Sequence, residues 1–235
     1  MDKRLLLASP HMSDEGYELE YIHDAFQKNW IAPLGENVNE FEKAMGEFMG
    51  EGYPVALSAG TAALHLAMIL AGVKRGDAVF CQSLTFSASA NPVVYCGAKP
   101  VFIDSERETW NMDPAALRHA FELYGVPKAV VAVHLYGNPA KLDEIIAICH
   151  EHNVPLIEDA AEALGSTYKS RKCGTFGDFG ALSFNGNKII TTSGGGMLLC
   201  RTEEEAKHAL KLATQARENA PWYQHEEIGY NYRMS

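Results

Sequence analysis

Short apolar runs alternate with helical stretches along most of the chain, beginning at about residue 53. Apolar runs bounded by turn residues are typical of buried strands, and longer stretches of helical period are typical of helices. The predicted strands are Tyr53–Ser58, Ala78–Cys81, Pro100–Asp104, Ala129–His134, Pro155–Glu158, Gly180–Phe184 and Gly196–Cys200. The predicted helices of this region are Thr61–Ala71, Ala88–Cys96, Pro114–Tyr124, Lys141–His152 and Glu203–Arg217. This alternation predicts an α/β fold built on a mostly parallel, seven-stranded sheet.

Local signals support two of the helix starts. Asp113 is followed by Pro114, which combines an N-cap residue with proline at the first helical position. Thr202 is followed by three glutamates, and the helix dipole favours acidic side chains in the first turn. Both positions are therefore predicted to begin a helix.

Two further helical stretches, Ser13–Asn29 and Asn37–Gly50, precede the alternating region. We expect residues 1–50 to form a helical segment that packs on a large domain of residues 51–235. The final segment, Gly229-Tyr-Asn-Tyr-Arg-Met-Ser235, has no helix or strand pattern and nothing to seat it. This abrupt end suggests that the large domain is incomplete at its C-terminus.

The chain has 30 acidic and 20 basic residues, a formal net charge of −10 and an isoelectric point near 5.4. A surface with this balance repels phosphate backbones and anionic lipids, so neither nucleic acid nor a membrane is expected as a partner. No apolar run approaches the roughly 20 residues of a membrane helix. No signal peptide is expected, because the apolar run before Ser9 and Pro10 is shorter than the about seven to fifteen residues required.

Five cysteines, Cys81, Cys96, Cys149, Cys173 and Cys200, are spread singly along the chain, with no C-x-x-C pair. Three of them, at 81, 149 and 200, lie in or beside apolar segments, as buried thiols do. This usage predicts neither a disulfide framework nor a metal site, and it favours a reducing cytoplasm as the compartment.

Three segments contain residues suited to chemistry, and the first is Ser58-Ala-Gly-Thr-Ala-Ala-Leu-His-Leu-Ala67. It is predicted to be a strand end, a Gly-Thr turn and a helix start. Free N–H groups at Gly60, Thr61 and Ala62, with the Thr61 hydroxyl and the helix dipole, are suited to binding an anion. Alternatively, Thr61 is only an N-cap. Neither the P-loop lysine nor the dinucleotide glycine pattern is present, which disfavours a NAD-binding domain.

The second segment, Val154-Pro-Leu-Ile-Glu-Asp-Ala-Ala-Glu-Ala-Leu-Gly165, is an apolar strand that ends in acids. Open α/β sheets bind ligands at this carboxyl edge. A buried carboxylate there needs a cation or hydrogen-bond donors. Glu158 and Asp159 are both candidates, and a purely structural capping role for Asp159 is the alternative.

The third segment has one lysine, Lys188, between an apolar strand and the glycine-rich turn Gly194-Gly-Gly196. Single lysines are usually solvated surface residues. Here the neighbours Ile189, Ile190 and Phe184 are expected to desolvate the amine and lower its pKa. A neutral amine is what Schiff-base chemistry requires.

An anion cradle, a buried carboxylate and a desolvated lysine together predict a site for pyridoxal 5′-phosphate. In this hypothesis the cradle binds the phosphate, Asp159 keeps the pyridine nitrogen protonated and Lys188 holds the aldehyde carbon as an imine. The protonated ring then acts as an electron sink. The residues alone do not decide between Glu158 and Asp159.

These segments resemble the DegT/DnrJ/EryC1/StrS family of sugar aminotransferases along the chain from Ser9 to its last residue. The motifs are Trp30-Ile-Ala-Pro-Leu-Gly35, Val38-Asn-Glu-Phe-Glu42, Ala59-Gly-Thr-Ala-Ala-Leu-His-Leu66, Thr85-Phe-Ser-Ala-Ser-Ala-Asn91, Gly97-Ala-Lys-Pro-Val-Phe-Ile-Asp104, His134-Leu-Tyr-Gly137, Glu158-Asp-Ala-Ala-Glu162, Gly174-Thr-Phe-Gly177, Ser183-Phe-Asn-Gly-Asn-Lys188 and Gly229-Tyr-Asn-Tyr-Arg-Met-Ser235. The run from 185 to 197, with Thr214-Gln-Ala-Arg-Glu218, is most similar to enzymes that aminate C4 of UDP-4-keto-6-deoxy-N-acetylglucosamine. The resemblance implies a three-layer, fold type I large domain without the small C-terminal domain of the longer family chains.

The resemblance also implies a role for eight residues. Lys188 binds the cofactor covalently and then moves the proton, and Asp159 pairs with the ring nitrogen. Phosphate is held by Gly60, Thr61 and Ser183, and by Asn231 reaching across from the second copy of a homodimer with shared active sites. Phe86 stacks on the ring, and Glu162 lies near its 3′ oxygen.

Some positions depart from the family pattern or have no catalytic role assigned. The family commonly has Ser-Gly-Thr where this chain has alanine at position 59, so one side-chain contact is absent. We interpret His65 as a packing residue. His11 and His134 are placed where they could reach substrate, but neither is assigned a role.

The implied reaction transfers the amine of L-glutamate to a nucleotide-linked 4-keto-6-deoxy sugar, with Lys188 as the proton shuttle in both halves. An alternative is a truncated cofactor-domain remnant that binds pyridoxal phosphate or a partner without full turnover. A dehydratase of the same family has histidine in place of the lysine, so Lys188 argues against that activity.

Overall fold

The computed structural model describes residues 12–235. His11 and the N-terminal run considered for a signal peptide therefore lie outside the described residues. The described helices are α1 (Tyr17–Gln27), α2 (Glu36–Met49), α3 (Gly60–Leu70), α4 (Asn91–Tyr95), α5 (Pro114–Tyr124), α6 (Leu142–Glu151) and α7 (Glu203–Ala213). The strands are β1 (Tyr53–Leu57), β2 (Ala78–Gln82), β3 (Lys99–Ile103), β4 (Ala129–Val133), β5 (Leu156–Asp159), β6 (Thr167–Tyr168), β7 (Arg171–Lys172), β8 (Phe179–Ser183) and β9 (Gly196–Cys200).

Seven strands form one sheet in the order β1-β9-β8-β5-β4-β2-β3. All neighbours pair in parallel except β9, which is antiparallel to both β1 and β8, so six strands run in one direction. The register places Val131 opposite Ile157, and Ile157 opposite Phe179. Because six strands are parallel, their carboxyl ends meet at one edge, where ligands bind in open α/β sheets.

Successive strand residues point to opposite faces of the sheet, and helices cover both faces. In β2, Val79 and Cys81 pack with α3 and α7, whereas Phe80 packs with α5 and α6. Helix α2 buries Met45 and Met49 on the face of the sheet opposite to α3 and α7, and α1 buries none of its residues. The predicted three-layer α/β fold with a mostly parallel sheet is confirmed. Within residues 12–235, no helix has the length and apolar character to cross a bilayer.

The predicted strands of the large sheet are confirmed to within one residue at each end. The caps are confirmed as well: the Asp113 carboxylate accepts the Ala115 N–H at 2.8 Å, and Thr202 forms a capping box with Glu205. The predicted helix over 88–96 is wrong, because it divides into a short 3-10 turn at Ser87–Ser89 and α4. Proline 92 is accepted only in the first turn of a helix, so α4 begins beside it.

Two further differences occur at backbone positions with positive φ. Helix α7 ends at Ala213 instead of Arg217, and residues 215 and 216 have φ of 71° and 51°. The hairpin of β6 and β7 has no counterpart in the predicted elements. Its two turn residues, Lys169 and Ser170, have φ of 48° and 68°, as two-residue hairpin turns require. Two-residue strands are too short to produce an alternating pattern.

The last seven residues form neither a helix nor a strand, as expected, but hydrogen bonds and an ion pair hold them against the rest of the structure. The Ser58 N–H donates to the Tyr232 carbonyl at 2.8 Å, and the Tyr230 N–H donates to the Leu212 carbonyl at 2.7 Å. The buried Arg233 guanidinium forms an ion pair with the partly buried Glu42 of α2. These partners are far away in the chain, and for this reason a local sequence pattern does not reveal them.

All five cysteines are free, and Cys173 is buried in addition to the three for which burial is predicted. Burial raises the pKa of each of the four buried thiols to about 12. Because the thiolate is the reactive form, these side chains act as small apolar residues of the core.

Candidate active site

The carboxyl ends of five parallel strands border one cleft of about 620 Å³. Seven of the eight predicted site residues line it: Gly60, Thr61, Phe86, Asp159, Glu162, Ser183 and Lys188. Asn231 does not line it; its backbone pairs with Thr214, and the residue is exposed. The sheet thus brings together groups that are more than one hundred residues apart in the chain.

The predicted anion cradle lies where β1 turns into α3. Ala59 is the N-cap of α3, and no side chain of the described residues caps the helix, so its first N–H groups border the cleft uncapped. A β-carbon built on Gly60 would lie 3.0 Å from Cβ of Ser183, so only glycine permits this close approach. Thr61 is the second residue of the helix, and its alternative role as the N-cap is therefore wrong.

Asp159 supplies a buried carboxylate, only 6% exposed, to the same cleft. Its Oδ2 accepts the Ser89 hydroxyl at 2.6 Å, and its Oδ1 accepts the Ala161 N–H at 3.2 Å. Burial raises the pKa of this carboxyl, and the two hydrogen bonds offset part of that effect. Among residues 12–235, no lysine or arginine forms an ion pair with it. The carboxylate can therefore receive a cationic group of a ligand.

Glu158 points to the other side of the strand and has a structural role. Its carboxylate accepts N–H groups of Gly174, Phe176 and Gly177 at 2.6–2.8 Å. His134 Nε2 lies 2.8 Å away, and its Nδ1 accepts the Ala140 N–H, so Nε2 carries the proton and donates it. Burial raises the pKa of Glu158, but these donors outweigh burial and hold it below its ordinary value. The structure thus decides the choice in favour of Asp159 as the carboxylate of the cleft.

Replacing Glu158 with glutamine should destabilise the protein by about 2–3 kcal/mol, because hydrogen bonds to a charged acceptor are lost and donors are left unpaired. Urea unfolding at neutral pH measures the effect. The exposed Glu151→Gln variant is the matched control and should cost no more than about 1 kcal/mol. Equal stabilities of the two variants would contradict the structural role of Glu158.

The pH dependence of this difference gives a second check. A carboxyl whose pKa is lowered by folding contributes stability above its ordinary value of 4.5. That contribution is lost as the pH falls through the folded-state pKa. The stability difference between wild type and Glu158→Gln should therefore be largest at neutral pH and shrink below pH 4.5.

Lys188 lies in the cleft with its side chain largely covered, 15% exposed, so its interpretation as a solvated surface lysine is wrong. Of the neighbours expected to desolvate it, Ile189 and Ile190 are 60% and 56% exposed, whereas Phe184 is fully buried. Lys188 Nζ lies 3.4 Å from Oε1 of Glu162. At this distance the amine and the carboxylate form an ion pair, and one bridging group would allow them to exchange a proton.

The loop after β4 orients Glu162. The Tyr136 N–H donates to Oε2 of Glu162 at 2.8 Å, and Tyr136 has left-handed φ and ψ of 53° and 27°. Gly137 follows with φ of 80°, and a β-carbon there would lie 2.9 Å from the Glu162 carbonyl oxygen. Strained backbone of this kind costs about 1–3 kcal/mol and clusters at functional sites.

Two exposed aromatic side chains, Phe86 and Tyr136, line the cleft. Exposed aromatic rings beside a buried polar site offer flat apolar surface to a planar ligand. Phe86 is thus placed where a ring could stack, and Tyr136 is an additional residue that the sequence analysis does not single out.

Two of the three histidines considered are described, and both are structural. His65 is buried; its Nδ1 lies 3.1 Å from the Tyr232 hydroxyl, and its ring packs on the edges of Tyr95 and Tyr230. The packing interpretation of His65 is therefore confirmed. His134 is fully buried against Glu158 and does not line the cleft, so its suggested reach toward substrate is wrong.

Ser89, which contacts the Asp159 carboxylate, has no role in the sequence-based prediction of the site. It lies in the motif Thr85-Phe-Ser-Ala-Ser-Ala-Asn91, in which the family resemblance assigns a role only to Phe86. Its contact with Asp159 joins residues that are 70 positions apart.

The residues of the cleft fit pyridoxal 5′-phosphate in three respects. The uncapped start of α3 and Ser183 offer donors to a phosphate. Asp159 is a buried carboxylate without an ion pair to any residue that the structure describes, which suits a protonated pyridine. Lys188 provides a primary amine inside the cleft for the aldehyde. The phosphate, the ring nitrogen and the aldehyde of this cofactor thus each have a matching group in the cleft.

Comparison with known proteins agrees with this fit. EpsN of Bacillus subtilis (strain 168), a candidate pyridoxal phosphate-dependent aminotransferase, is 57% identical over 100% of this chain and 61% of its own. GDP-perosamine synthase of Caulobacter vibrioides is 41% identical over 99% of this chain and 62% of its own. The solved structure of DesI with its TDP-sugar product superposes with a TM-score of 0.87 at 30% identity, covering 100% of this chain and 58% of DesI.

The chain spans about three fifths of the length of the two curated relatives. The sequence profile of the DegT/DnrJ/EryC1/StrS aminotransferase family matches residues 13–235, which is nearly the whole chain. Sequence, fold and cleft residues therefore lead to one assignment: this chain belongs to the DegT/DnrJ/EryC1/StrS aminotransferase family.

Proposed function

We propose that this protein is a pyridoxal-phosphate-dependent aminotransferase that moves the amine of L-glutamate to a nucleotide-linked 4-keto-6-deoxy sugar. The observation that carries the proposal is the convergence of Lys188, Asp159 and the start of α3 in one cleft. In this proposal residues 51–235 are the cofactor-binding domain, and residues 1–50 pack on it.

Each residue of the cleft has a distinct task in this proposal. When bound, the cofactor supplies an electron sink for the carbanion at the carbon that carries the amine. Lys188 Nζ binds the cofactor and moves the proton, and Glu162, 3.4 Å away, accepts a hydrogen bond from the amine and limits its orientations. Asp159 faces the ring nitrogen, Phe86 packs on the ring, and Gly60, Thr61 and Ser183 bind the phosphate.

The sugar is proposed to be UDP-linked and N-acetylated, on the resemblance of the run from Asn185 to Met197. The names of the relatives point to other nucleotides as well, since one is a GDP-perosamine synthase and DesI was solved with a TDP-sugar. The nucleotide is therefore the variable to test.

The protein is further proposed to act in the cytoplasm as a homodimer with shared active sites. Asn231 lies outside the cleft of its own chain and is exposed, which is compatible with a contact to the phosphate bound by a second copy. Light scattering tests the dimer. A monomer that binds the cofactor as tightly as a dimer would remove Asn231 from the site.

The proposed function is tested with pyridoxal 5′-phosphate, L-glutamate and a set of 4-keto-6-deoxy sugars linked to UDP, GDP or TDP. Glutamate should bleach the absorbance band of the lysine-bound cofactor, and mass spectrometry should detect an amino group on one of the sugars. Cofactor binding without either reaction would support the non-catalytic alternative. A protein that does not bind the cofactor would contradict both.

Replacing Asp159 with asparagine should preserve covalent binding of the cofactor but slow proton abstraction by about 100-fold, as for removal of one preorganised electrostatic group. Single-turnover decay of the cofactor absorbance after mixing with L-glutamate measures the rate. Asp178→Asn is the control, because Asp178 accepts the Leu156 N–H away from the cleft. A wild-type rate in Asp159→Asn would show that the electron-sink role is wrong.

A further inference from the structure

We propose that Ser89, oriented by Thr85, is a positioning residue that holds the Asp159 carboxylate toward a cationic ring nitrogen. The inference rests on the proposed function, since it concerns the carboxylate assigned to the cofactor ring. Ser89 itself does not line the cleft, so it acts through Asp159 rather than on the ligand.

The contacts form a chain of two hydrogen bonds. Thr85 Oγ1 lies 2.7 Å from Ser89 Oγ, and Ser89 Oγ lies 2.6 Å from Asp159 Oδ2. The second distance is in the short range of hydroxyl–carboxylate bonds, which are stronger than bonds between neutral groups. The other oxygen, Oδ1, has a single and longer contact with the Ala161 N–H at 3.2 Å.

The direction of the chain follows from counting hydrogens. A serine hydroxyl has one hydrogen, and an ionised carboxylate accepts but cannot donate. Ser89 therefore gives its hydrogen to Asp159 and must accept from Thr85. Thr85 fixes the rotation of the Ser89 hydroxyl, and Ser89 fixes the position of Oδ2 of Asp159. The remaining lone pairs of the carboxylate are then free to accept a hydrogen bond from a ligand in the cleft.

The local fold explains why this serine is available. Residues 87–89 form a 3-10 turn after β2, in which the Ser89 N–H donates to the Phe86 carbonyl at 3.1 Å. This turn places Thr85 and Ser89 side by side and buries Ser89 completely, whereas Ser87 of the same turn is exposed. A buried hydroxyl next to a buried carboxylate is costly unless each satisfies the other.

The test compares the affinity for pyridoxal 5′-phosphate with the affinity for its 1-deaza analogue, in which C–H replaces the ring nitrogen. Ser89→Ala should weaken binding of the cofactor about tenfold, the size expected for one hydrogen bond to a charged group, and leave the affinity for the analogue unchanged. Ser87→Ala is the matched control and should change neither affinity. Thr85→Val should weaken cofactor binding about threefold, which in free energy is about half of the Ser89→Ala effect. Thr85→Ser keeps the hydroxyl and should bind the cofactor as tightly as wild type.

The outcomes separate this inference from the proposed function. If Asp159→Asn discriminates between the two ligands and Ser89→Ala and Thr85→Val do not, the positioning role is wrong and the function stands. Equal loss of both ligands in Ser89→Ala and Thr85→Val would also overturn it, because the residues would then only support the fold. If wild-type protein binds both ligands equally, the role of Asp159 in the proposed function fails first.

Discussion

Replacing Lys188 with alanine is expected to abolish the absorbance band of the lysine-bound cofactor and to lower amine transfer by at least about 10²–10⁴-fold. Its amine is the only one that borders the cleft among residues 12–235, so no other lysine can take over. Lys188→Arg should fail as well, because a guanidinium keeps its charge and cannot add to an aldehyde. Absorbance spectra of the cofactor-loaded protein, with and without glutamate, measure both effects.

Two controls make this result specific. Lys207→Ala removes an exposed lysine that is paired with Glu203 on α7, and it should leave the band and the rate unchanged. Borohydride reduction followed by peptide mass mapping should place the cofactor on the peptide that contains Lys188. If Lys188→Ala keeps the band, or if the adduct maps to another lysine, the assignment of the amine is wrong.

The strands and the three layers are predictable because each strand has its own apolar run and its own turn signals. In β4, the run Ala129–Val133 is apolar throughout, as expected for a strand covered by helices on both faces. The boundaries fail where backbone conformation or distant contacts decide, as at Pro92 and at residues 215 and 216. The pattern of apolar and polar residues carries little information about backbone conformation or about distant contacts.

The site is predictable only in part, for a reason visible in Glu158 and Asp159. The two acids are adjacent and chemically alike, and the apolar pattern of the strand predicts burial for both of them. Strand geometry sends one toward His134 and the other into the cleft, and a shift of one residue in register would exchange them. Ser89 and Tyr136 are missed because their contacts, with Asp159 and Glu162, exist only after the chain has folded.

The second large effect is expected on stability, at the ion pair that anchors the last residues. Arg233 and Glu42 are joined by two nitrogen–oxygen contacts, one of them 3.2 Å, and the Arg233 side chain is only 6% exposed. Nη1 of Arg233 also donates to the Ala56 carbonyl at 3.1 Å, and Glu42 accepts the Ala56 N–H at 2.7 Å. The pair therefore ties α2 and the C-terminal segment to β1, the strand that leads into the anion cradle.

Arg233→Met should lower the free energy of unfolding by up to about 3 kcal/mol, the lower end of the range for a fully buried pair, because it leaves the partly buried Glu42 carboxylate, 21% exposed, without its cation. Arg118→Met is the matched control: Arg118 pairs with Glu151 through two contacts, but both side chains are half exposed, so the loss should not exceed about 1 kcal/mol. Urea unfolding with an unchanged m-value measures both. The double variant Glu42→Gln/Arg233→Met should be more stable than Arg233→Met alone, because the unpaired charge is gone. The free-energy losses of the single variants Arg233→Met and Glu42→Gln give the value expected if the two residues act independently. If the loss of the double variant equals their sum, the ion pair does not couple them, and the backbone hydrogen bonds hold the segment instead.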